Sequence, residues 1–382
     1  FITFFFFVSE ILRSKILGGL PLNLTAHTWA FNSSFILVCK YVGVFGLSFI
    51  TINWLTLMAL AILEGRKSFF LIFPLIPLIL FSISFFENNF FKKEQGDKIS
   101  IRVVQPNISQ EKKWDRMMMS RNIEKHIKLS KMDVNKNFKT IVVWPEVAAT
   151  FYLNEEHELM DYLRKQIPEN FILITGGLKR EFYEKGFKIF NSFYVIDQSG
   201  FQSYEKQKLV PFGEFIPLQN FLQIFKLTEG STDFSVGKKE AKISILYDEK
   251  EIIFEPSICY EAIFQSFNDS QISMLINITN DAWFGKTTGP RNHLAAAIFR
   301  SVEKGVPLIR SANSGISVVT NGNGKIKKKL GLNLTGFIDY EIKIANQRTF
   351  FINHGNFALI LLLFLLISIF FLLDFLYLRR RF

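Results

Sequence analysis

Three short stretches set a reactive side chain at the end of an apolar run. Ile141-Val142-Val143-Trp144-Pro145-Glu146 places a carboxylate just past a buried-strand pattern and a rigid proline. Glu255-Pro256-Ser257-Ile258-Cys259-Tyr260-Glu261 places a thiol in the same kind of position. Between them, Tyr204-Glu205-Lys206-Gln207-Lys208 runs into Leu209-Val210-Pro211-Phe212-Gly213-Glu214, which brings lysine to a tight turn. Loops after strands are where α/β scaffolds display reactive groups. A thiol, a carboxylate and a lysine so placed can support a covalent acyl intermediate on sulfur.

Other machineries lack their residues. There is no G-x-S-x-G elbow, no G-x-x-x-x-G-K-S/T phosphate loop, no H-E-x-x-H and no C-x-x-C pair. The histidines, His27, His126, His157, His293 and His354, are dispersed without ligand spacing, so neither a metal nor another cofactor is expected. Cys39 and Cys259 fall in different regions and give no disulfide framework. Each residue also has a plainer reading when taken alone. A free cysteine is commonly a buried small hydrophobe, Glu146 fits a helix cap, and Lys206 with Lys208 fits a solvated basic face.

The elements that position these stretches come from an unevenly composed chain. Of 382 residues, 49% are hydrophobic and 44 are phenylalanine, and the apolar residues cluster. Long uncharged runs near both ends enclose an ordinary mixed sequence, which excludes intrinsic disorder, a collagen-like repeat and a purely soluble enzyme. Residues 42–63 are uncharged over a length that crosses a hydrocarbon core of about 30 Å. Residues 69–86 form a second run, interrupted by Pro74 and Pro77, and 357–373 a third. Residues 1–12 read as part of a further span, and a chain that opens on Phe1 reads as a fragment or processed product. The expected organisation is a membrane region over 1–87, a catalytic domain over 88–350 and a C-terminal transmembrane helix over 351–382. Arg66-Lys67 and Arg379-Arg380-Arg381 are cytoplasmic by the positive-inside rule, so the middle region lies on the far side of the membrane. The net charge of +11 fits an anionic membrane surface rather than nucleic acid, for which no recognition signature is present.

The middle region reads as α/β. Short β-rich runs at 101–105, 140–144, 171–175, 190–197, 273–277, 307–311 and 316–320 alternate with helical stretches near 115–131, 155–166 and 291–304. Asn321-Gly322-Asn323-Gly324 predicts a hairpin turn, because glycine and asparagine accept positive φ. The stretch 218–238 is expected to be a mobile loop that admits substrate.

Taken together, Trp144-Pro145-Glu146, Lys206 through Glu214, Ile258-Cys259-Tyr260-Glu261 and Asn280-Asp281-Ala282-Trp283-Phe284-Gly285 resemble the nitrilase superfamily. The closer resemblance is to its membrane-embedded branch, the apolipoprotein N-acyltransferases. Val104-Gln105, Asn107-Ile108, Lys113-Trp114, Arg310-Ser311, Asn313 and Gly315 support it. The resemblance implies a nitrilase-like α-β-β-α sandwich flanked by transmembrane α-helices, with Glu146, Lys206 and Cys259 as the catalytic triad. An ordinary thiol is only a few per cent ionised at neutral pH, so Glu146 would act as general base. Lys206 would stabilise the thiolate and the oxyanion, with Lys208 as the alternative lysine. Glu214 would support Lys206, Tyr260 and Glu261 would orient the nucleophile and the oxyanion, and Trp114 would stand at the substrate entrance. Trp114 also fits a packing or interfacial aromatic. The 280–285 motif and His293 read as structural.

The implied reaction is ping-pong. Cys259 would take a fatty acyl chain from a phospholipid, typically phosphatidylethanolamine, as a thioester. The α-amino group of a diacylglyceryl-cysteine lipoprotein would then receive it. The expected partners are therefore the phospholipid, the diacylglyceryl-modified apolipoprotein and the membrane, with no nucleic acid, for a monomer. The expected location is the bacterial inner (cytoplasmic) membrane with the catalytic domain periplasmic, and measured against the family the chain is expected to be short of N-terminal spans. The alternative is a membrane-tethered carbon-nitrogen hydrolase, an amidase using the same three residues. A water-accessible pocket would favour the amidase, and an apolar one acyl transfer.

Overall fold

The computed structural model describes residues 2–65, 73–90, 96–133, 138–184, 186–215, 233–238, 240–267, 271–285, 287–344, 348–361 and 363–364. Its strands, in chain order, are β1 (Lys98–Gln105), β2 (Thr140–Val143), β3 (Ala149–Tyr152), β4 (Phe171–Tyr183), β5 (Gly186–Ile196) and β6 (Phe201–Glu205). They continue with β7 (Ile243–Tyr247), β8 (Lys250–Ile258), β9 (Met274–Thr279), β10 (Leu308–Ala312), β11 (Ser317–Thr320), β12 (Ile326–Leu330) and β13 (Gly336–Lys343). One sheet runs β13-β1-β2-β4-β5-β6, with β3 paired to β4; the other runs β12-β11-β10-β9-β8-β7. The middle of each sheet is parallel, β1-β2-β4 in one and β8-β9-β10 in the other. Parallel strands are covered on both faces, and β2, β9 and β10 are accordingly buried along their whole length.

Alternation along the strands divides each residue set between two layers. Ile141 and Val143 of β2 face Ile276 and Ile278 of β9 in the core between the sheets. Val142, one residue out of phase, packs instead against the outer helices α6 (Met119–Lys131) and α7 (His157–Gln166). On the second sheet Leu275 and Leu308 meet Leu294, Ile298 and Val302 of α8 (Gly289–Lys304). The result is the expected α-β-β-α sandwich, and the hairpin predicted at 321–324 joins β11 to β12 as an antiparallel pair.

The N-terminal region comprises α1 (Ile2–Arg13), α2 (Ser33–Ile36), α3 (Cys39–Leu63) and α4 (Leu75–Phe90). It packs on the sandwich through the same cluster that holds α8, to which Ile36, Val44, Leu47 and Leu80 contribute. Gly43 interrupts α3 with φ 67° and ψ 179°. The Val44 N–H next to the interruption is taken by the Glu303 carboxylate of α8 at 2.7 Å. Further along the chain, α5 (Gln110–Trp114) precedes α6, and α9 (Phe350–His354) closes against Gly43 through Phe351.

The membrane expectation is met in part. Among the described residues one helix, α3, is long and apolar enough to cross a bilayer. The second expected span corresponds to the shorter α4, which starts after Pro74 because proline cannot continue a helix from its N-terminal side. Residues 66–72, including Arg66-Lys67, and 365–382, with most of the third expected span and Arg379-Arg380-Arg381, lie outside the described residues.

Candidate active site

β2 ends at Val143, and Pro145 has no N–H to extend the ladder, so the chain leaves the sheet and carries Glu146 inward. Trp144 anchors this exit: its N–H bonds Ile174 O at 2.8 Å and its indole Nε1–H bonds Ser130 Oγ at 2.7 Å. The neighbouring strand accommodates the turn because Gly176 has no side chain. A Cβ there would sit 2.3 Å from Val147 N and 2.7 Å from Glu146 Cα.

The Glu146 carboxylate is fully partnered. Oε1 accepts from Asn191 Nδ2 at 2.8 Å and from Lys206 Nζ at 3.4 Å, and Oε2 accepts from the Asn280 backbone N–H at 2.8 Å. Its main-chain oxygen accepts from Lys113 Nζ, also at 2.8 Å. Burial alone would raise its pKa. Lys206, then Lys113, the Asn191 amide and the Asn280 N–H outweigh burial and hold the carboxyl below its ordinary range. Glu146 is therefore ionised at neutral pH and ready to accept a proton.

Lys206 leaves the end of β6 buried, with only 1% of its surface exposed. Its ammonium bonds Glu214 Oε1 at 2.9 Å as well as Glu146. Burial works against that charge, but Glu214 and Glu146 prevail and push the pKa above the ordinary lysine value. Lys208 points to the outside, over the ring of Phe264, and is not part of the cluster. Glu214 is itself held by the Val210 N–H at 2.8 Å and by Asn191 Nδ2 at 3.1 Å.

Cys259 follows β8 as the first residue of a 3-10 turn, Cys259–Ile263, and adopts φ 50°. A non-glycine residue at positive φ is strained, and two carboxylates hold the turn in place. Glu261 accepts from Ile258 N at 2.8 Å, from Gln207 N at 2.6 Å and from Tyr204 Oη at 2.8 Å, tying the nucleophile turn to the lysine strand. His293 Nε2 lies 2.9 Å from Cys259 O, which can only accept, so this nitrogen carries a hydrogen. The other ring nitrogen lies 2.9 Å from Asp281 Oδ1. Asp281 is in turn gripped by Arg310 Nη2 at 2.9 and 3.1 Å and by Thr279 Oγ1 at 3.0 Å. The thiol is pushed up to about 12 by burial and next by the charge of Glu146, against the pull of Lys206. It rests protonated.

Above this floor lies a cavity of about 780 Å³. Leu20, Leu22, Trp114, Leu178, Val210 and Phe284 supply apolar wall, and Glu146, Lys206, Glu214, Cys259 and His293 converge at the polar end. Leu20 and Leu22 belong to the N-terminal region, fastened by the Tyr260 hydroxyl, which donates to Gly19 O. Phe234 closes another side, after its N–H bonds Glu214 O at 3.1 Å. Most of the 218–238 stretch expected to move, residues 218–232, lies outside the described residues.

The structure thus brings Glu146, Lys206, Cys259 and Glu214 together and places Trp114 and Tyr260 on the cavity wall. Glu261 sits beneath the turn, and as a carboxylate it can only accept, so its place is that of a brace rather than an oxyanion donor. The Tyr260 hydroxyl is spent on Gly19. Nothing local in the sequence marks Asn191 as part of the site, and His293, Asp281 and Lys113 belong to stretches that read as structural or supporting. The Lys113-Trp114 pair and the Asn280-Asp281 motif were the available signals. Among the described residues no group of histidine, cysteine and carboxylate side chains is arranged to hold a metal.

Residues 100–349 match the carbon-nitrogen hydrolase family. The apolipoprotein N-acyltransferase of Rickettsia prowazekii (strain Madrid E) is 34% identical over 382 residues, covering 96% of this chain and 74% of that protein. The apolipoprotein N-acyltransferase of Rhodopseudomonas palustris is 30% identical over 357 residues, covering 87% and 65%. Among solved structures, Saccharomyces cerevisiae Nit3, a member of branch 10 of the nitrilase superfamily, superposes with a TM-score of 0.44 at 19% identity, over 66% of this chain and 92% of that one.

Proposed function

The chain belongs to the carbon-nitrogen hydrolase family and, within it, to the apolipoprotein N-acyltransferases, and from that premise we propose that it moves a phospholipid acyl chain onto a lipoprotein amine through a Cys259 thioester. Glu146 takes the thiol proton as sulfur attacks the ester carbonyl of the donor. The order matters, because a thiol whose pKa lies near 12 supplies little free thiolate and its proton must leave during the attack. The negative charge arriving on the carbonyl oxygen is stabilised by the ammonium of Lys206. Collapse breaks the ester bond, and the proton on Glu146 passes to the departing lysophospholipid oxygen. In the second half, the α-amino group of a diacylglyceryl-cysteine attacks the thioester, Glu146 accepts its proton, and sulfur leaves and regains a proton.

The observation that carries this reading is the character of the cavity. A charged cluster around Cys259 opens into walls of leucine, valine, tryptophan and phenylalanine, two of them supplied by the N-terminal helical region. Apolar walls suit an acyl chain and exclude water from the thioester, whereas hydrolysis of a small amide needs water at the same place. In this reading Trp114 lines the entrance, α3 spans the bacterial inner membrane, and the sandwich stands on the periplasmic side. The hydropathy of α3 and the relatives support that placement.

The test is direct. The chain is incubated in phosphatidylethanolamine vesicles and its intact mass measured; one fatty acyl adduct is expected, mapping to Cys259 and absent in Cys259→Ala. A diacylglyceryl-cysteine peptide should then discharge it. A wild-type chain that forms no adduct but hydrolyses short amides would replace acyl transfer with the amidase reading.

A further inference from the structure

Two lysines face the same cavity, and only one of them has its charge committed. Lys206 holds Glu214 at 2.9 Å and Glu146 at 3.4 Å. Lys113, at the end of α5, is 6% exposed, and its Nζ donates to an uncharged group, the main-chain oxygen of Glu146, at 2.8 Å. Both line the cavity with Cys259.

The charges of the resting site balance: carboxylates of Glu146 and Glu214 against ammoniums of Lys206 and Lys113. The reaction upsets that balance in one place. When Glu146 takes the thiol proton it becomes neutral, and the negative charge reappears on the carbonyl oxygen of the donor. Lys206 keeps Glu214 as its partner throughout. Lys113 loses the carboxylate that favoured its charged form.

We propose that Lys113 is a second catalytic cation, whose ammonium meets the oxyanion formed when Cys259 attacks the acyl donor. The proposal rests on the acyl-transfer reading. No atom beyond those of that reading moves: the sulfur–carbon bond forms, the carbonyl π pair moves to oxygen, and the proton goes from sulfur to Glu146. An ammonium so placed acts without reorganising, in a site whose apolar walls keep its field unscreened.

The surroundings make the residue's ionisation readable. Across the cavity it faces Glu146, Cys259 and Lys206, and on α6 it faces His126, while Glu111 and Lys112 precede it, exposed, on its own helix. Burial pulls Lys113 down to about 8, with Glu146 and then Cys259 opposing. His126 is lowered to about 4, by burial first, and is neutral throughout the working range. Lys113 therefore carries its charge below about pH 8 and loses it above.

The experiment follows lysophospholipid release in a single turnover with phosphatidylethanolamine alone, so that no acceptor amine titrates. Wild type should show an alkaline fall near pH 8. Lys113→Met should slow release about 100-fold or more at pH 7 with unchanged donor KM, as for loss of an oxyanion donor, and show no fall at pH 8. Lys113→Arg, charged at all accessible pH, should keep release within about tenfold of wild type and move the fall upward. Release in Lys113→Met within about threefold of wild type, or a fall that stays near pH 8 in Lys113→Arg, would overturn the proposal. A wild type that releases no lysophospholipid would instead remove the acyl-transfer reading beneath it.

Discussion

Replacing Asp281 by asparagine takes one charge from a group that ties the nucleophile to the second sheet. Asp281 and Arg310 both have fully buried side chains, and the guanidinium reaches both carboxylate oxygens, at 2.9 and 3.1 Å. Removing one partner of a buried pair leaves the other charge uncompensated, at about 3–5 kcal/mol. For a unit of the size matched by residues 100–349, each kcal/mol moves the melting temperature by about 2–4 °C, so Asp281→Asn should lower it by about 6–20 °C. The double variant Asp281→Asn/Arg310→Met removes the stranded guanidinium, and buried pairs replaced on both sides are often nearly neutral. It should therefore melt well above the single variant at the same scan rate. Catalysis should separate from stability. In both variants His293 loses its contact with a carboxylate, a charge-assisted hydrogen bond worth about 1.5–3 kcal/mol, and with it the hold on Cys259 O. Acyl-enzyme formation should fall about 10- to 100-fold in both variants, without recovery in the double. The assay pairs a thermal melt with the rate of adduct formation at Cys259. A single variant within about 1 kcal/mol of wild type, or a double variant whose losses simply add, would refute the reasoning.

Other perturbations separate the remaining parts. Burial raises and Arg310 with His293 lower the Asp281 pKa, with the lowering dominant, so its stabilising contribution is complete above about pH 5. That contribution is lost as pH falls from the ordinary carboxylate value of about 3.9 toward the lower folded one, and the acid melt of Asp281→Asn should be flatter than wild type. Glu146→Gln keeps the shape of the base but cannot take the thiol proton, and adduct formation should drop about 100-fold or more; a smaller loss would displace it as base. Tyr260→Phe gives up only the bond to Gly19, so adduct formation should stay within about threefold of wild type, whereas an oxyanion role would cost about 100-fold. Gly43→Ala combines φ +67° with a Cβ 2.4 Å from the Phe351 ring, and should destabilise by about 2–4 kcal/mol, read as a lower melting temperature.

What could be read from the sequence was what neighbours in the chain decide. The run through Val142 and Val143 into Pro145 announces a buried strand that must end, and it does. Asn321-Gly322-Asn323-Gly324 announces a hairpin on local φ preferences alone. Lys206 and Lys208 differ by a whole pleat in a strand-like segment. Their local sequence is equally charged, and only the carboxylates of Glu146 and Glu214, which meet Lys206, separate the buried lysine from the exposed one. Lys113, Asn191 and His293 were hidden for the same reason. Their partners are Glu146 in the first two cases and Cys259 in the third, each far away in the chain. His293 in particular sits in an apolar helical pattern, where a buried histidine without a role would look the same. The extent of α3 was legible because hydropathy decides it, while the interruption at Gly43 depends on Phe351 and Glu303, supplied from the far end of the chain.

The polar end of the site and its walls have different origins, and that difference bears on the choice between hydrolysis and transfer. Glu146, Lys206 and Cys259 are presented by β2, β6 and β8, strand ends that the two-sheet sandwich alone can hold. Leu20 and Leu22 are not on the sandwich. They reach the cavity on a segment whose backbone is fixed at Gly19 by Tyr260, the residue next to the nucleophile. Gly19 itself has φ +81°, and a Cβ there would lie 2.2 Å from Ser14 O, so the approach demands glycine. The N-terminal region is coupled to the sandwich a second time, where Glu303 takes the Val44 N–H. A thioester formed at Cys259 would thus be shielded on one side by residues that arrive with the apolar helices. In the acyl-transfer reading, the elements that bring the acyl donor would also keep water from it. A sandwich without that wall would keep Glu146, Lys206 and Cys259 and lose the reason to prefer an amine over water.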